Sequence, residues 1–134
     1  PTLGVMRDYV GEVANARRIS TSLRFISGSA DLDRKAAGDI ERISDILRSR
    51  AYEGYELLVF GFSDSQGSLG LNLELSKRRA EAVGSILLER NSGYLERSTL
   101  AEFGVGPIAP VGCNEFAGGR QQNRRVEVWI RPRA

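Results

Sequence analysis

At 134 residues the chain is one domain's worth, long enough to bury a single core. Nineteen basic against seventeen acidic side chains leave a formal charge of +2, too little to argue for nucleic acid as a partner. Histidine is absent, which excludes Ser-His and Cys-His nucleophilic arrangements and the commonest zinc ligand, so no enzyme, metal or cofactor is expected.

Cys113 is the only cysteine, so no internal disulfide can form. No apolar run approaches the roughly 20 residues of a membrane span, and no signal-peptide pattern opens the chain. The sequence starts at Pro1, from which we expect a piece of a larger protein with a targeting segment and an upstream domain before it.

Val5, Met6, Tyr9, Val10 and Val13 recur at helical spacing and predict a helix over about 4–17, so that residues 1–18 form an N-terminal helix or linker and residues 19–134 the domain proper. Ile19, Thr21, Leu23 and Phe25 alternate with polar residues as a first strand, which Gly28 ends. Asp31 or Ser29 can then cap a helix whose buried face is Ala36, Ile40, Ile43 and Leu47, with Asp33, Asp39, Glu41, Arg42 and Arg48 on the solvated side. After Tyr52, Gly54 and Tyr55, the continuous run Leu57, Leu58, Val59, Phe60 fits a strand covered on both faces, parallel to the first if the crossover is right-handed.

Small polar residues from Ser63 to Ser68 supply a loop, and a second helix follows, striped by Leu71, Leu75, Val83, Ile86 and Leu87. Arg79 shares that stripe. A guanidinium there cannot shed its charge and needs a carboxylate or an anionic ligand. Helical side chains lean toward the N-terminus, so Arg79 reaches back toward Asp64, and Asn72 lies on the same face. Asp64, Asn72 and Arg79 together would rim a polar pocket at the strand's C-terminal end, although Asp64 and Arg79 could equally pair with each other.

Asn91, Ser92 and Gly93 end the helix, and 95–103 supplies a third strand centred on 100–103. An irregular stretch runs to Gly119. The last strand places Val126, Val128 and Ile130 on one face and Arg125, Glu127 and Trp129 on the other, with Arg124 at its head. Gly67 and Gly70 lack a Walker lysine and dinucleotide spacing, which excludes a nucleotide site. The expected architecture is α+β, a two-layer sandwich in the order β-α-β-α-β-β, with two helices on one face of a mixed four-stranded sheet and the extra N-terminal helix.

Gly61, Phe62, Ser63 and Asp64, then Asn72, then Leu75, Ser76, Arg78, Arg79 and Ala80, match without a gap the pattern of the OmpA-like C-terminal domain, shared with Pal lipoproteins and flagellar stator proteins. A second block, Gly119, Arg120, Asn123, Arg124, Arg125, Val126 and Glu127, resembles that family's closing motif. The resemblance covers about 21–130 and implies a non-catalytic periplasmic or envelope module that binds peptidoglycan at the diaminopimelate of its peptide stem. It implies further that Asp64 takes the ligand's ammonium and Arg79 its carboxylate, that Asn72 and Gln66 add hydrogen bonds, and that Arg124 contacts its other polar atoms. Phe62 stands where relatives often carry His or Tyr, and Gly28 where some offer Asn. Two other readings stay open: a protein-interaction or homodimerisation module on the same fold, and an anion pocket centred on Arg79, Arg120 and Arg124.

Overall fold

A computed structural model describes residues 16–19, 23–25, 30–49, 53–64, 68–107 and 123–132. Its elements run β1 (Arg17–Arg18), β2 (Leu23–Arg24), α1 (Ala36–Leu47), β3 (Tyr55–Phe62), α2 (Leu69–Arg90), a 3-10 turn (Arg97–Thr99), β4 (Leu100–Gly106) and β5 (Arg125–Pro132).

The sheet is mixed, in the order β1-β5-β3-β4, with β2 also on β5. β3 pairs parallel with β4 and antiparallel with β5, whereas β1 and β2 both run antiparallel to β5 and share one edge position. Four strand positions result, and the first strand lies parallel to β3 with β5 inserted between them. The expected first strand is thus two short segments. Arg18 faces Trp129 and Leu23 faces Val126, so the edge advances five positions while β5 advances three, and the register shifts between the segments. Arg17 and Arg18 stand in the sheet and Ala16 is not helical, although the expected N-terminal helix reaches to about residue 17; residues 4–15 of that helix lie outside those described.

Helix α1 starts later than its expected caps imply. Its N-cap is Lys35, with no side-chain cap, and Asp33 rather than Asp31 receives the Lys35 N–H, at 3.1 Å; Ser29 lies outside the described residues. Asp39, expected on the solvated face, is buried and paired with Arg42. The third strand starts at Leu100 and runs to Gly106, because residues 97–99 form the 3-10 turn instead.

One apolar cluster fills the space between sheet and helices. Ala36, Ile40 and Ile43 of α1 and Ala80, Val83 and Leu87 of α2 meet Leu57, Val59, Val126, Val128 and Ile130 there. The opposite sheet face carries a second cluster, Leu58, Phe60, Phe62 and Val105, packed against Phe103 and Trp129. β3 is therefore buried on both faces, as its unbroken apolar run predicts.

The N-terminal half of α2 does not bury its leucine stripe. Leu71 is 68 % exposed, and Asn72, Ser76 and Arg79 turn inward instead. Glycines on the sheet set this rotation. A Cβ on Gly61 would overlap the Ser76 carbonyl, and one on Gly104 would lie 2.6 Å from the Lys77 nitrogen, so helix backbone rests directly on strand backbone. Ser76 Oγ fastens the contact, donating to the Leu73 carbonyl at 2.7 Å and accepting from Gly106 N–H at 3.0 Å.

Candidate functional site

Three elements converge at the C-terminal end of β3. The chain leaves β3 at Phe62 and continues through Ser63 and Asp64, held by a bond from Ser63 N–H to the Gly106 carbonyl at 2.9 Å. Because β5 runs antiparallel with Val126 opposite Gly61, its preceding residue Arg124 arrives beside the same end. α2 starts across the loop, where Ser68 caps the helix by accepting from Leu71 N–H at 3.2 Å. Close packing on Gly61 then sets Arg79 at the level of the strand end.

Asp64, Arg79 and Arg124 thus act on one another at this end, and Asn72 lies on the buried face of α2. Asp64 and Asn72 are buried, at 6 % and 8 % exposure. Arg79, expected at an open rim, is sealed at 0 % exposure. Its Nη1 donates to the Phe62 carbonyl at 3.2 Å, and its guanidinium lies 5.3 Å from the Phe25 ring centroid. Arg124 Nη1 donates to Asp64 Oδ2 at 3.0 Å in an ion pair. Arg79 approaches along the inner helix face, where the Asp64 charge also acts on it, while Arg124 enters from the neighbouring strand. Gln66, Gly28, Arg120 and Cys113 lie outside the described residues.

Arg79 carries the electrostatic signature of the site. Burial, first, lowers its pKa to about 10; repulsion from Arg124 lowers it next, and the attraction of Asp64 ranks behind that repulsion. The side chain stays charged at neutral pH within a locally cationic surrounding. Two polar atoms sharpen the picture: Ser63 Oγ and Arg124 Nε are buried without a hydrogen-bond partner. One carboxylate, two guanidiniums and unused donors can receive a group that presents an ammonium and a carboxylate together.

Two features escaped the sequence reading. Ser63 contributes an unused buried hydroxyl, and Phe25 lies against Arg79. Gly61, a glycine inside an apolar strand, was the available signal that a backbone passes close to this strand. The other sheet face also departs from a simple polar face. Arg125 and Glu127 are buried there, joined at 2.8 Å, with Arg125 stacked 3.8 Å from the Phe62 ring centroid and Trp129 Nε1 donating to Glu127 at 3.1 Å.

Comparison with known proteins gives consistent matches. The OmpA family model matches residues 24–124. The lipoprotein YiaD of Escherichia coli is 33 % identical over 111 residues, 83 % of this chain and 48 % of YiaD. The peptidoglycan-binding protein ArfA of Mycobacterium tuberculosis is 33 % identical over 91 residues, 68 % of this chain and 26 % of ArfA. Among solved structures, the cell wall anchor of the T6SS from Pseudomonas aeruginosa aligns with a TM-score of 0.67 at 25 % identity, covering 98 % of this chain and 97 % of that one. The chain spans about half or less of the length of these two curated relatives.

Proposed function

The chain belongs to the OmpA family, and on that footing we propose that it tethers an envelope protein to the cell wall by binding peptidoglycan at the diaminopimelate of the peptide stem. The observation that carries this reading is the gathering of Asp64, Arg79 and Arg124 at one strand end, with repulsion between the two arginines outranking the attraction of Asp64 for Arg79. A ligand carboxylate relieves that repulsion. The side-chain terminus of diaminopimelate carries an ammonium and a carboxylate on one carbon, which is the complement of this cluster.

Entry proceeds by exchange. The ligand ammonium replaces Arg124 on Asp64, and the ligand carboxylate accepts from Arg79 and from the released Arg124, so that no charge is left buried alone. In this reading Asn72, Gln66 and the unused Ser63 hydroxyl add hydrogen bonds. The task is attachment without turnover, in the periplasm or cell envelope. The names of ArfA and of the T6SS anchor support the same assignment.

Co-sedimentation with diaminopimelate-type sacculi tests it. The purified domain is retained, and Asp64→Asn, which removes the negative charge without changing shape, abolishes retention while the circular dichroism spectrum stays folded. Undiminished retention of the variant contradicts the site.

A further inference from the structure

A cavity of about 540 Å³ opens at the other end of the sheet, walled by Arg48, Glu53, Tyr55, Tyr94, Glu96 and Thr99 among others. It lies within the size range of small-ligand sites. The length of β3, eight residues from Tyr55 to Phe62, separates it from the Asp64 cluster by about 25 Å.

Its walls are held in place by the fold. Gly54 and Gly93 make the two turns at its rim with φ of 78° and 93°. Glu96 and Thr99 close a reciprocal capping box, and Arg48 Nη2 donates to the Arg90 carbonyl at 2.8 Å, tying the end of α1 to the end of α2. Tyr94 stands at the mouth with 64 % of its surface exposed, one of two large apolar side chains so exposed among the described residues.

The chemistry of the lining selects a ligand class. Two carboxylates against one guanidinium that is already bonded to a carbonyl disfavour an anion. Among the described lining residues Leu47 is the only aliphatic side chain larger than a methyl, too little for an apolar guest. A sugar ring satisfies both constraints: its C–H face lies on a tyrosine ring, and its hydroxyls donate to Glu53 and Glu96 and accept from Arg48. We propose that this cavity binds a neutral pyranose sugar, with glycan of the wall as its natural source, the choice of source resting on the anchoring function proposed above. The separation from Asp64 means that the ring bound here lies away from the captured end of the stem.

Amide-shift titration of the labelled 134-residue chain with a peptide-free N-acetylglucosamine tetramer is the test. The expected result is saturable shifts at Gly54, Gly93 and Tyr94 that persist in Asp64→Asn, with affinity lowered about five- to tenfold by Tyr94→Ala and lowered also by Glu53→Gln. Absence of shifts at millimolar sugar, or unchanged affinity in both cavity variants, overturns the inference. Sacculus retention without sugar shifts removes the cavity proposal and leaves anchoring standing; sugar shifts without sacculus retention keep the cavity and remove anchoring.

Discussion

Asp64 and Arg124 form an ion pair at 3.0 Å that joins the loop after β3 to the residue leading into β5, with 8 % and 13 % of their side chains exposed. Its two halves are not equivalent. Asp64→Asn leaves Arg79 and Arg124 facing each other without that carboxylate, whereas Arg124→Gln leaves Asp64 and Arg79 in balance and removes the main repulsion on Arg79. Chemical denaturation should show Asp64→Asn destabilising by roughly 2 to 3 kcal/mol and Arg124→Gln by about 1 kcal/mol or less. Retention on sacculi falls for both, by about tenfold or more for Arg124→Gln.

Arg79 trades stability for binding. Burial and the neighbouring Arg124 lower its pKa to about 10 in the fold, so holding the cation there costs stability at neutral pH, where both states are protonated. The bond to the Phe62 carbonyl and the Phe25 contact are among the interactions that hold it there. Arg79→Met should therefore raise Tm by roughly 3 to 5 °C at pH 7 while abolishing wall retention. The sign with pH follows: above pH 10 the native state loses the proton first, the unfolded chain holds more protons, and wild-type stability gains relative to Arg79→Met. Thermal melts of both proteins between pH 8 and pH 11 should show their difference narrowing.

Gly61 fixes how closely α2 approaches β3. Gly61→Ala drives a methyl into the Ser76 carbonyl, and since that atom belongs to helix backbone the cost should reach about 3 kcal/mol. Retention should fall too, because the displaced turn carries Arg79. Gly70→Ala is the control: a Cβ there meets nothing within 4 Å, and removing a helix glycine should add about 0.5 kcal/mol. Denaturant midpoints of the two variants should move in opposite directions.

The sheet and helices were legible because apolar period alone separates them: the unbroken 57–60 run gave the doubly buried β3, and the alternation of Val126, Val128 and Ile130 gave β5. Rotation of α2 was not. Its leucine stripe placed Leu71 inward, whereas strand glycines admit helix backbone and turn Ser76 in, on the side where spacing had already put Asn72 and Arg79. Alternation put Arg125 and Glu127 on the face opposite the apolar set but did not say that this face is covered; a pair two positions apart on one strand neutralises itself and can be buried there. Spacing brought Asp64 and Arg79 to one end of the sheet; the pairing of Asp64 with Arg124 depends on β5 lying beside β3, an order set by chain-wide topology rather than by local pattern.

Titration of the chain with free meso-diaminopimelate, followed through backbone amide shifts, puts the ligand directly against the cluster. The account predicts saturable shifts centred on Asp64, Asn72 and Arg124 that vanish in Asp64→Asn. Shifts that leave those amides untouched, or that survive the loss of the Asp64 charge, would contradict it.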